Sequence, residues 1–222
     1  MKLNRVYKGP AEMPDFIPVF PLAGALLLPR RPLQLNIFEP RYLSLIDDAL
    51  TGDRLIGMIQ PSAGEEASDR KPDLCAVGCV GRLVQYAEIG DGRCMISLNG
   101  VARFRVMGEA GSGLPYRLAR ASFDDFAADF NEGEGEALVD RESLLRALRT
   151  FAEANKFKID WDDIEQASNE ALVNGLSMIS PYGAKEKQAL LEAADLKARA
   201  EMLVAITQME LVRSPSTSTR VH

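Results

Sequence analysis

Few side chains in this sequence stand at spacings where chemistry could be done. The one histidine, His222, ends a Ser/Thr-rich tail. That placement excludes a Ser-His-Asp triad, a Cys-His pair and a histidine-based metal site. Cys75 and Cys79 lie four apart on an expected strand. There they share a face but stand about 13 Å apart, and no ligands complete a zinc site. With Cys94 they read as small buried hydrophobes, and no metal is expected. Ser62 has Lys71 as its nearest candidate base, but that lysine lies in a charged stretch, whereas a Ser-Lys dyad needs a desolvated one. Asp160, Asp162, Asp163 and Glu165 are scattered over a helix surface, without the burial that would raise a carboxylate for acid catalysis. No G-x-x-x-x-G-K-[ST] and no strand-borne G-x-G-x-x-G occurs, so neither a P-loop nor a dinucleotide cradle is expected. The expectation is a chain with no catalytic residues and no cofactor.

Glu39 and Arg41 remain. They close an otherwise apolar stretch, and if buried they must find partners. Arg103 is the natural opposite number, so Glu39, Arg41 and Arg103 are expected to form a structural network that ties two parts of the fold together.

The elements that would position these groups change character along the chain. Between Phe16 and Tyr42 five prolines (Pro18, Pro21, Pro29, Pro32, Pro40) interrupt two apolar runs. Proline cannot donate to a sheet ladder, so these strands should be bent, at edges or at strand ends. Pro40 to Leu50 reads as a helix with proline in its first turn and Leu43, Ile46 and Leu50 on one stripe. Further apolar, β-branched runs follow at 54–60, 74–87, 93–98 and 102–107. Gly90-Asp91-Gly92 and Asn99-Gly100 look like hairpin turns, which makes residues 80–106 a three-stranded meander. Within it Arg103 and Arg105 should face away from Phe104 and Val106. Residues 62–73 read as a polar loop, and 129–136 as a boundary.

After that boundary the apolar period becomes that of helices. Leu138, Leu145, Leu148 and Ala152 stripe a long one, Asp160 and Asn169 cap two more, and a break at 180–183 precedes 184–194. Leu196 to Leu211 forms the last. The fold class is thus α+β: a β-rich part at 1–128, a small helical bundle at 129–213 and a disordered tail at 214–222.

Composition narrows the partners. The first 128 residues carry 15 basic and 15 acidic side chains, while 129–213 carry 10 and 17, within a total of −6. Nucleic-acid binding rests on clustered Lys and Arg, so none is expected. No apolar run is long enough to span a bilayer, and the opening residues lack the apolar region of a signal peptide. Odd cysteines without such a signal point to a reducing, cytoplasmic setting.

The run "PVFPLAGALLLPRRPLQLNIFEPRY" strongly resembles the opening of the N-terminal domain of the Lon proteases. The likeness continues through residues 77–83, 91–92 and 98–104, and through 187–192, Asp195 and 199–203. It covers about residues 15–211. The resemblance implies a PUA-like β pseudo-barrel with an appended helical bundle, a unit that in Lon binds substrate proteins. ATPase and peptidase segments are missing, so the chain resembles the stand-alone Lon-domain proteins of bacteria. The residues 61–64, Pro-Ser-Ala-Gly, look like the end of the Lon catalytic-serine motif, but Ile59-Gln60 replaces its preceding Asp-Gly. The implied function is a non-catalytic module for unfolded or partner proteins and peptides, beside a protease system, as a monomer or weak dimer. The alternative is a small-molecule or RNA-binding PUA-like domain. Binding is expected at an apolar patch of Phe20, Leu26, Leu27, Leu28 and Phe38, because strand alternation should turn at least one of the three leucines outward.

Overall fold

The computed structural model describes residues 5–62, 72–155 and 160–213. The tail at 214–222, Lys71 and most of the loop expected at 62–73 lie outside these residues. Six strands and six helices follow in the order β1 (Phe16–Pro21), β2 (Pro32–Ile37), α1 (Pro40–Thr51), β3 (Leu55–Ile59), β4 (Val77–Gly90), β5 (Arg93–Ala110), β6 (Arg117–Ser122), α2 (Arg141–Asn155), α3 (Trp161–Gln166), α4 (Asn169–Ile179), α5 (Ala184–Glu192) and α6 (Leu196–Arg213). This is a mixed α+β architecture.

The sheet runs β2-β5-β4-β3-β1-β6, and β5 also pairs with β6, so five strands close on themselves while β2 hangs from the outside of β5. β1 runs parallel to β3 and antiparallel to β6. It is therefore an inner strand despite its prolines. Pro18 is tolerated because pairing with β3 begins only at Val19. All five strands of the ring contribute to one cluster: Ile17 and Val19, Leu55 and Ile59, Val80, Ala102 and Phe104, and Ala119. The Phe104 ring fills its middle. A Cβ at Gly57 or Gly78 would stand 2.9 or 2.6 Å from Phe104 Cζ, which is why those positions carry no side chain.

The expected three-stranded meander is a single long hairpin. Asp91 and Gly92 make its turn with positive φ of 53° and 69°, the geometry that suits a two-residue hairpin loop. Asn99-Gly100 is no turn but the middle of β5. Glycine is required there because the Leu28 carbonyl would lie 2.0 Å from a Cβ. The Gly100 amide donates to the Arg31 carbonyl at 3.0 Å, and the Arg30 amide to the Gly100 carbonyl at 2.8 Å.

A larger cluster lies outside the ring, between its wall, α1 and the C-terminal helices. Leu26, Leu27, Leu28, Ile37, Leu45 and Ile46 meet Leu172, Val173, Leu190 and Leu203 there without a break. It crosses the boundary expected near residue 128. The expectation of an outward leucine fails: Leu26, Leu27 and Leu28 are 3%, 1% and 0% exposed. They belong to no strand, so alternation does not apply, and sheet and helices cover them from both sides. Among the helices, α6 is flanked by α2, α4 and α5. Ser168, not Asn169, caps α4, its side chain accepting from the Ala171 amide, while Asp160 caps α3 through the Asp162 and Asp163 amides.

Candidate functional site

Between ring and helices lies a row of buried ions. Alternation on β5 sends Phe104 into the ring and Arg103 the opposite way, but the helices cover that side. The Arg103 guanidinium grips Asp129 at 2.9 and 2.8 Å and donates to the carbonyls of Leu191 and Ala193. Its side chain and that of Asp129 are 3% and 8% exposed. Arg30 pairs with Glu170 and donates to the Asp129 carbonyl. Arg199 donates to the Leu190 carbonyl and to Asn174. Burial, then the neighbouring Arg103, pulls the Arg199 guanidinium down to about 10, so it keeps its charge at neutral pH. Both acids of this row, Asp129 and Glu170, are paired with a guanidinium.

The expected Glu39–Arg41–Arg103 network does not form. Glu39 and Arg41 pair with each other at 2.7 Å, each about half exposed. Glu39 occupies the N-cap position of α1, and the Arg41 guanidinium lies over the Tyr42 ring at 4.6 Å. Position 39 precedes a helix whose buried stripe is Tyr42, Leu45, Ile46 and Ala49, so the pair is left on the outer side. Arg103 finds Asp129 instead, a residue whose sequence context of acids and glycines reads only as a boundary.

The expected apolar patch is likewise divided. Phe20 is buried and stacks on Tyr42 with ring centroids 4.0 Å apart. Of the five residues expected there, Phe38 alone is open, at 63%. It stands at the end of β2, where β2, β5 and β4 form a three-stranded arm beyond the ring. Register sets Asn36, Met95 and Ala87 side by side on one face of the arm, with Gln34, Ser97 and Gln85 in the next row. The other face carries Leu35, Ile96 and Tyr86, then Ile37, Cys94 and Glu88. From Val84 to the turn every β4 side chain is exposed. Val84, Tyr86, Ile89 and Met95 thus join Phe38 as large apolar groups in water. Sequence reading missed them because a strand buried at its start and bare at its end shows no change in pattern.

Cys94 sits in this arm, buried, its thiol raised by burial and then by the Asp47 and Glu88 carboxylates. Cys79 is also buried, and Cys75 is half-buried. Among the described residues no group of three or more His, Cys, Asp or Glu side chains could hold a metal ion. No helix among them is long and apolar enough to cross a membrane.

A cleft of about 370 Å³ lies beside the ion row, with Arg5, Tyr7, Arg82, Asn99 and Phe130 in its wall. The Arg5 and Arg82 guanidinium carbons lie 5.0 and 5.1 Å from the Tyr7 ring centroid.

Comparison with known proteins gives one family. The family model of the ATP-dependent protease La (LON) substrate-binding domain matches residues 17–208. Lon protease 2 of Myxococcus xanthus is 28% identical over 198 residues, which is 88% of this chain and 24% of that protein. The chain thus spans about a quarter of the length of such relatives. Among solved structures, a Lon N-terminal domain protein from Xanthomonas campestris shares the fold with a TM-score of 0.60 at 24% identity, covering 86% of this chain and 97% of that one. The N-terminal domain of a Mycobacterium avium complex Lon protease does so at 0.63 and 19%, covering 87% and 98%.

Proposed function

Because the chain belongs to the Lon substrate-binding domain family, we propose that it captures unfolded polypeptide and does no chemistry on it. The observation that carries this reading is the arm, where Phe38, Tyr86, Met95, Val84 and Ile89 are held in water by strands anchored in a closed ring. Met95 lies on one face of the arm and Tyr86 on the other, and apolar side chains gathered on both faces of one projecting element suit a protein contact. The closed sheet is read as a PUA-like pseudo-barrel and the helices around α6 as its appended bundle. The partners are unfolded or partly folded proteins met beside a protease system in the cytoplasm, bound by a monomer or weak dimer, with no part for nucleic acid.

The test is binding of a reduced, carboxymethylated model protein, followed by fluorescence anisotropy. Phe38→Asp and Met95→Asp should each weaken it by about tenfold or more, the loss of one anchor side chain, with the melt unmoved. Binding that survives both changes would move the surface elsewhere.

A second reading rests on the cleft. Its volume is that of a small-ligand site, and Arg82 has no carboxylate partner among the described residues. A small-molecule role predicts that a compound found by thermal-shift screening loses its effect in Arg82→Gln.

A further inference from the structure

The arm ends in an open sheet edge. β2 pairs with β5 alone, from Pro32 opposite Asn99 to Ile37 opposite Cys94, with no register shift. The bond from the Gly100 amide to the Arg31 carbonyl sets the phase of the ladder. In an antiparallel pair, residues alternate between exchanging both backbone bonds with the neighbour and pointing both away. Leu33, Leu35 and Ile37 therefore bond to β5. The carbonyls of Pro32, Gln34 and Asn36 and the amides of Gln34 and Asn36 face outward. Pro32, which has no amide to offer, falls on an outward position, as an edge strand requires.

Open edges are ordinarily blunted by charge, bulges or a covering element. The outer half of β4, the other open edge of the arm, is protected in that way. It carries Glu88 and has irregularities at Leu83/Gln85 and Glu88/Gly90. β2, Pro-Leu-Gln-Leu-Asn-Ile, has no charge and no bulge. Its exposed side chains are Pro32 and the amides Gln34 and Asn36, and of its inward ones Leu33 and Leu35 are only partly buried while Ile37 is buried.

We propose that β2 is the docking edge for the polypeptide of the preceding reading, which adds as an extended strand along residues 32–36 with Phe38 against its side chains. This rests on that reading and gives it a geometry. Main-chain hydrogen bonds would supply sequence-tolerant affinity, and alternate side chains a preference for apolar residues at every second position. Charge selects the occupant: Asp47 and Glu88, exposed at the Ile37 end of the arm, favour an apolar segment flanked by lysine or arginine.

The probe is a short synthetic peptide of alternating valine and threonine, ended by lysines. A twin carries N-methyl groups on the amides of one edge, which removes those donors and keeps the side chains. Bound peptide should slow hydrogen exchange at the Gln34 and Asn36 amides and leave Leu33 and Leu35 unchanged. The twin should bind about tenfold or more weakly, the loss of about two hydrogen bonds. Gln34→Pro, which removes only an outward amide, should weaken binding of the parent without lowering the melt. A peptide that binds with neither amide slowed and with equal affinity for the twin overturns the edge and leaves polypeptide binding standing. Binding of the carboxymethylated protein but not of the peptide also overturns the edge. Failure of both removes the edge and the reading it rests on. Protection of the two amides that rises with protein concentration in the absence of peptide assigns the edge to a second copy and overturns the proposal.

Discussion

Arg103 of β5 holds Asp129 through two guanidinium nitrogens at 2.9 and 2.8 Å, with both side chains out of water. A third nitrogen reaches the carbonyls of Leu191 and Ala193. One side chain thus joins the ring wall, the segment after β6 and the turn between α5 and α6.

Asp129→Ala should be severe. It strands a buried guanidinium, a loss of about 3–5 kcal/mol, or on the order of 10 °C in melting temperature. Glu39→Ala, which breaks an exposed pair, should cost about 1 kcal/mol or less. Thermal melts of the two variants check the contrast, and equal shifts would contradict the burial described here.

The apolar residues should separate in the same manner. Leu27→Ala removes a side chain 1% exposed and should cost about 2–5 kcal/mol in urea titrations. Phe38→Asp should leave the midpoint in place.

Acid should loosen the junction at α4. The Glu136 carboxyl is held below its usual range by its bond with Ser168 and then by the Glu170 amide. A carboxylate with a lowered folded pKa adds stability that is complete above the unfolded value, 4.5. That stability is lost as pH falls through the folded one. Stability should therefore decline below about pH 5, and Glu136→Gln should flatten that decline and be less stable than wild type at pH 7.

Gly100→Ala should be among the costliest single-methyl changes. The new carbon would meet the Leu28 carbonyl at 2.0 Å, and backbone cannot yield as a side chain can. Loss of more than about 4 kcal/mol, or failure to accumulate folded protein, is the expected outcome.

Thiol labelling gives a readout free of mutation. Cys79 and Cys94 are buried and Cys75 is half-buried. Burial raises all three thiols. Native protein should expose one slow-reacting thiol to a disulfide reagent, lost in Cys75→Ser, and the other two only on unfolding.

What could be read from the chain followed locality. α1 was legible because Pro40 fixes its first turn, although its buried stripe is Tyr42, Leu45, Ile46 and Ala49, with the expected Leu43 and Leu50 only partly buried. Asp91-Gly92 was legible because only such residues suit a tight hairpin. Asn99-Gly100 is an equally turn-like pair whose glycine has another reason, the approach of the Leu28 backbone from far upstream, and nothing nearby in sequence marks that. The leucines at 26–28 defeated alternation because they form no strand. Asp129, Arg30 and Glu170 were invisible as partners because each is paired by the folding of distant segments. Phe38 was legible as an apolar residue just before a glutamate and a proline, but its open position follows from the register of β2 on β5.

The burial of those leucines has a temporal side. Their cover includes Leu172, Val173, Leu190 and Leu203, residues that leave the ribosome long after them. At roughly 5–20 residues per second, Leu26, Leu27 and Leu28 wait on the order of ten seconds or more for their neighbours. Throughout that interval the nascent chain displays a sticky leucine run of the sort its finished form is proposed to seize. On that proposal a newborn copy would itself be a client of a completed one.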